Sequence, residues 1–256
     1  LALIVWQLGP YKLGMLGAPT TYLLYGAIGA MAAVQFLRIW QINGHVFQRP
    51  VPAFDRYPFK QVALLNLVYM ASFGSELAVV SMLPLYFLDT FDISPMLAGM
   101  LGGSFALMNL FGRPGGGYLA DRYGRKLITI LMLAGIAVGY FFMARIDSSW
   151  PLPLAVALVV LCSIFVQGGC GAVYASVPLV KRRLTGQVAG MAGAYGNVGG
   201  VVFLVVLALV PSEQFFLVLG AIALAIMTLV MVFMDEPDPQ PSEVMPDGSV
   251  RMIDVT

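Results

Sequence analysis

Seven apolar runs succeed one another along this chain, and they limit its possible folds more than any other feature. They occupy residues 20–37, 61–88, 96–119, 127–144, 154–180, 187–210 and 214–234. About 18 apolar residues suffice for a helix to cross a hydrocarbon core of ~30 Å. Lipid offers backbone groups no partner, so only helices and closed barrels span it, and none of the runs shows the period-2 alternation of a barrel strand. The expected fold class is therefore an all-α polytopic membrane protein. Composition agrees: 59% of the 256 residues are hydrophobic and 11% charged, against roughly 45–50% and ~25% in soluble domains, which excludes a soluble globular protein. The net charge of +1 supplies no field that would draw a nucleic acid. The single histidine, His45, and the two cysteines, Cys162 and Cys170, which share one apolar run, offer no metal-ligand spacing and no disulfide framework. No metal or cofactor is expected.

The polar stretches divide the chain. Residues 1–40 read as the end of one helical bundle, with about one transmembrane helix, and they lack the pattern of a cleavable signal. The chain is therefore expected to begin inside a larger protein. Residues 41–60, with three prolines and four basic or imidazole side chains, read as a linker between bundles. Residues 61–234 make a six-helix bundle, and residues 235–256, acidic and proline-rich, a disordered tail. Ten of the fourteen Lys and Arg residues fall in connections on one side: Arg38, Arg49, Arg56 and Lys60, then Arg122, Arg125 and Lys126, then Lys181, Arg182 and Arg183. The positive-inside rule places these connections and the C-terminus in the cytoplasm.

Two ionisable residues interrupt the runs. Arg113 lies eight residues before Asp121, about 12 Å of helix, which sets it near mid-membrane. A charge there costs at least about 2.5–3.5 kcal/mol on insertion scales, so such residues mark functional sites by default. The competing reading is a purely structural pair with Glu76. An arginine stays charged and presents a planar fork that suits an oxyanion. Glu76 is the only acid deep in an apolar run and is a candidate for proton relay. Tyr69, Phe73 and Glu76 stand at i, i+4 and i+7, on one helical face, although an aromatic pair at that spacing equally serves packing.

Gly186, Gly190, Gly193, Asn197 and Gly200 are spaced four, three, four and three apart. Such a small-residue stripe lets helix backbones approach closely. Asn197, near the middle of its run, carries an amide that needs a partner and could donate to an anion. Gly168, Gly169 and Gly171 add a second small patch on the preceding run.

Gly117-Tyr-Leu-Ala-Asp121-Arg122-Tyr-Gly124-Arg125-Lys126 joins two runs. Physically, Asp121 can cap the following helix while the basic residues sit at the interface as a charge latch. This stretch resembles the signature loop of the major facilitator superfamily. Phe111-Gly-Arg113-Pro-Gly-Gly-Gly, the Gly-Ala-Tyr-Gly-Asn-Val-Gly-Gly core within 186–200, and Tyr69-Met-Ala-Ser-Phe73-Gly-Ser-Glu76-Leu further resemble the nitrate/nitrite porter family, in its cyanobacterial-type permease branch, over roughly residues 20–234.

The resemblance implies a twelve-helix transporter of two bundles in the cell membrane, of which this chain holds the second bundle and the last helix of the first. It implies that Arg113 binds the anion and Tyr69 donates to it. Phe73 would wall the site, and Gly193, Gly196 and Asn197 would form the close-packed signature. Gly117, Asp121, Arg122, Gly124, Arg125 and Lys126 would form the gating loop. The expected partners are nitrate and nitrite, protons, the bilayer and the N-terminal bundle. Uptake against a negative interior needs coupling, at about 2.3 kcal/mol per charge per 100 mV; proton symport is the first expectation and nitrate/nitrite exchange the second. Another small or organic anion on the same fold is the alternative substrate, and an incomplete half with no transport of its own the alternative role. The chain shows no paired carboxylates, Ser-His or Cys-His constellation or phosphate loop, so it is not expected to be an enzyme.

Overall fold

The computed structural model describes residues 2–44, 56–236, 242–244 and 249–252. Its contacts divide the chain into two units, residues 1–56 and 57–256. In the first, α1 (Ala2–Leu8) precedes α2 (Ala18–Asn43). Pro19 sits in the first turn of α2, where a missing N–H costs nothing because the first amides of a helix have no intrahelical partner. Gln41–Asn43 continue α2, although the sequence places them in the linker. The remainder of that linker, with His45 and Arg49, lies largely outside the described residues.

The second unit holds the other spans. They are α3 (Phe59–Tyr69), a π turn (Met70–Gly74) and α4 (Ser75–Phe91); α5 (Pro95–Leu107) and α6 (Asn109–Tyr123); α7 (Arg125–Met143); α8 (Leu152–Val180); α9 (Thr185–Leu209), after a short 3₁₀ turn; and α10 (Ser212–Phe233). Each of the seven apolar runs thus falls on a helical segment long enough to cross a bilayer. The expected all-α polytopic architecture is the one observed.

Local chemistry sets the breaks. Asp92 ends α4 at φ 50°, a left-handed conformation that aspartate tolerates better than most residues. Ser94 then caps α5, its hydroxyl accepting from the Leu97 amide at 3.3 Å, with Pro95 in the first turn. Gly124, at φ 101°, separates α6 from α7 with a backbone that only glycine adopts freely. The core holds the buried aromatics Phe87, Phe105, Tyr140, Phe203, Phe215 and Phe216. Tyr140 donates to Ser75 Oγ at 2.8 Å, which satisfies a hydroxyl that would otherwise be costly to bury.

One end of the unit collects charge. Lys60 pairs with Asp235 at 2.9 Å, and Gln61 donates to the same carboxylate at 2.6 Å. Further along the chain, Ser242–Val244 pairs antiparallel with Val250–Met252. Asp235 and Glu236 are held by the bundle.

Candidate functional site

The site is built on the seam between α6 and α8, where glycines replace side chains. A Cβ added to Gly116 would run into the Gly168 backbone, and one added to Gly171 would strike the Arg113 carbonyl oxygen and, at 2.8 Å, the Gly117 nitrogen. A Cβ on Gly112 would likewise meet the Gln167 side chain at 3.4 Å or closer. This backbone-to-backbone approach sets Arg113 and Gln167 side by side.

Arg113 is held on one edge. Its Nε donates to Gln167 Oε1 at 3.0 Å and its Nη2 to Glu76 Oε2 at 2.8 Å. The guanidinium lies over the Phe73 ring, 5.3 Å from the centroid, within the range of a cation–π contact. Asn109 Nδ2 donates to the other oxygen of Glu76 at 3.5 Å. A guanidinium has five N–H donors, and these bonds engage two of them. The Arg113 side chain keeps 29% of its surface exposed while Glu76 keeps 9%, so the remaining donors stay within reach of an anion and the carboxylate does not. The ion pair with Glu76 thus forms, and three of the five guanidinium N–H groups lie outside these two bonds.

Glu76 and Phe73 meet Arg113 across the π turn. Two serine hydroxyls bond back to the helix here: Ser72 donates to the Val68 oxygen at 2.9 Å and Ser75 to the Ser72 oxygen at 3.0 Å. Tyr69 stacks on Phe73 with centroids 5.1 Å apart and meets Tyr174 edge-on at 5.2 Å. Tyr69, Phe73, Glu76 and Arg113 therefore form one contiguous group.

The glycine stripe of α9 needs correction. The residues that let α9 approach the π turn are Gly196, against the Tyr69 and Phe73 rings, Gly199, against Met70, and Gly200, against Leu77. A Cβ on Gly186 or Gly190 would meet nothing within 4 Å, and one on Gly193 only the Tyr174 hydroxyl at 3.9 Å. The buried residues of this helix are Val188, Ala192, Gly196, Gly199, Gly200 and Phe203, so of the predicted stripe Gly200 packs inward. Asn197 is exposed and its amide donates to the Gly193 carbonyl of its own helix at 2.8 Å. The expected partner is thus local backbone.

The loop from Gly117 to Lys126 is also wired differently from expectation. Asp121 does not cap α7; it pairs with Arg125 at 2.7 Å. The cap is Glu236, whose two carboxylate oxygens accept from the Arg125 and Lys126 amides at 2.6 and 2.8 Å. A carboxylate is favoured there because it meets both unpaired N–H groups and the positive end of the helix. Arg125, only 13% exposed, also donates to the Ala175 carbonyl of α8 at 3.3 Å. Arg122 reaches back to the Tyr118 hydroxyl at 2.8 Å.

Sequence reasoning overlooks Gln167, Asn109, Tyr174 and Glu236. Gln167 and Asn109 are each the one carboxamide in their apolar run, which is the signal that could have found them. Glu236 gives no local signal, since it caps a helix 110 residues away. Among the described residues, no three His, Cys, Asp or Glu side chains form a group able to hold a metal.

The Major Facilitator Superfamily profile matches this chain over residues 2–204 and 65–250. The nitrate/nitrite transporter NrtP of Nostoc punctiforme is 39% identical over 93% of the chain and 48% of its own length. Its namesake in Picosynechococcus is 40% identical over the same shares. High-affinity nitrate transporter 2.3 of rice, Oryza sativa, is 39% identical over 54% of the chain and 28% of its own length. The chain thus spans about half the length of the curated relatives it matches most fully.

Proposed function

Because this chain belongs to the Major Facilitator Superfamily, we propose that it is the second bundle, with the last helix of the first, of a secondary transporter that takes up nitrate and nitrite by alternating access. The observation that carries the substrate is Arg113, a permanent cation held on one edge by Gln167 and Glu76 with its other donors still open. Nitrate and nitrite are flat monoanions, and a single guanidinium with an aromatic wall and neutral donors suits them better than it suits a divalent anion. The names of the relatives point to the same substrates.

On this reading Arg113 binds the anion, Phe73 and Tyr69 wall it, and Glu76 exchanges a proton as the anion competes for Arg113. The protein is multi-pass; its placement in the cell membrane with a cytoplasmic C-terminus is part of the proposal and rests on the basic connections. The open line of Gly186, Gly190, Gly193 and Asn197 is the surface on which the other bundle slides. Gly117, Asp121, Arg122, Gly124, Arg125 and Lys126 gate the cytoplasmic side.

The 2.8 Å contact also favours a second reading, in which Arg113 and Glu76 only hold helices together. Anion-dependent thermal stabilisation separates the two. A ligand at a hundredfold excess over Kd adds about 2.7 kcal/mol to stability by mass action. Nitrate or nitrite, but not sulfate, stabilises the complete transporter, and Arg113→Lys abolishes the shift because the fork is lost while the charge remains. Equal stabilisation of parent and variant would leave the pair structural. Stabilisation by a different anion would move the substrate.

A further inference from the structure

Gln167 is the least expected member of the site. It is fully buried, its Oε1 faces Arg113 Nε at 3.0 Å, and its Nε2 has no partner. The orientation of its carboxamide is fixed by chemistry, since Nε–H can only donate and must therefore meet the oxygen. Leaving the amide nitrogen unsatisfied is costly in an apolar interior. The arrangement therefore keeps an amide beside Arg113 at the expense of stability.

We propose that Gln167 is a positioning residue that limits the hold of Glu76 on Arg113. The strongest arginine–carboxylate geometry is bidentate, with two parallel N–H bonds to the two oxygens. The edge of Arg113 that faces Glu76 offers such a pair in Nε–H and Nη2–H. Gln167 takes the first, so Glu76 grips through Nη2 alone at 2.8 Å, and its other oxygen turns to Asn109 at 3.5 Å. A single charge-assisted bond is one that an anion can compete with. A bidentate pair would hold Arg113 more tightly against an anion that competes for Nη2. Gly112 makes this possible, since a side chain at 112 would displace the Gln167 stem.

This inference rests on the reading of Arg113 as the anion-binding residue. Its test is a cycle of nitrate-binding titrations on the complete transporter in detergent: parent, Gln167→Met, Glu76→Gln and the double variant. Gln167→Met frees Nε–H, lets Glu76 become bidentate and weakens nitrate binding about tenfold or more, the equivalent of one hydrogen bond to a charged group. Glu76→Gln removes the competitor, so in that background Gln167→Met changes affinity by less than about threefold. Gln167→Asn keeps an amide but draws it back by one methylene, and it reproduces the loss should the methionine variant fail to fold. Equal losses in both backgrounds, or no loss in either, would overturn the role of Gln167 alone. A parent that does not bind nitrate would overturn the functional reading and this inference together.

Discussion

Gly115 and Gly116 are neighbours in sequence with opposite surroundings, and alanine at each should have opposite effects. A Cβ on Gly115 meets nothing within 4 Å, whereas one on Gly116 would lie 2.6 Å from the Gly168 carbonyl carbon and nearer still to other atoms of that residue. Ordinary contact begins near 3.4 Å, so α6 and α8 must part by about 1 Å, which a close-packed seam resists. Overpacking of this kind costs about 1–3 kcal/mol, partly offset by the ~0.5–1 kcal/mol that alanine gains over glycine inside a helix. Gly116→Ala should therefore lose about 1–2 kcal/mol, and Gly115→Ala should be neutral or slightly stabilised. With roughly 2–4 °C per kcal/mol at this size, the expected Tm change is a fall of about 2–8 °C for the first and none, or a small rise, for the second. The same separation stretches the 3.0 Å bond between Arg113 and Gln167, so Gly116→Ala should also weaken nitrate binding. Thermal denaturation in detergent and then a nitrate titration read both. A Gly116→Ala protein as stable as its parent, or a Gly115→Ala protein that falls equally far, would refute the contact geometry.

Three other outcomes are expected. Glu236→Ala uncaps α7 and should cost about 1 kcal/mol, seen as a Tm lower by about 2–4 °C; an unchanged Tm would show that the cap contributes nothing. The Lys60 ammonium, with help from Gln61, holds the Asp235 carboxyl below the ordinary range. That contribution is present above the unfolded carboxylate pKa of about 4 and is lost as pH falls through the lower folded value. Asp235→Asn should therefore flatten the acid limb of the stability profile, and a limb identical to the parent's would discard the linkage. Glu76→Gln should remove the pH dependence of nitrate uptake into proteoliposomes if Glu76 exchanges the coupling proton. An unshifted profile at normal rate would make it a structural residue.

The spans were legible because hydropathy over some twenty residues outweighs every local detail, and Arg113 and Glu76 were legible because an intramembrane charge is rare. What escaped lies in weaker or longer-range effects. Gln167 is neutral, so it leaves no mark comparable to a charge. The inward face of α9 is legible only in part, at Gly200, because glycines occur on adjacent stripes and carry no side chain to say which is inward. Asp121 is the obvious cap for α7, yet Arg125, four residues later across the Gly124 break, claims it, and Glu236 arrives from the far end of the chain. Nothing local marks the π turn, since serine back-bonds like those of Ser72 and Ser75 also occur in ordinary helix, as at Ser81 and Ser104.

That turn makes the length of the first long span of the bundle a fixed quantity. Met70–Gly74 holds one residue more than an α-helical turn would, and everything after it is set in rotation by that residue. Were all five residues to wind at ordinary α pitch instead, the remainder would turn by about 100°. Glu76 would swing away from Arg113 while Tyr69 and its neighbours stayed in place. A substitution that drove these five residues into ordinary α pitch would therefore uncouple the carboxylate from the arginine without altering either residue, and deleting one of the five as well would restore the register.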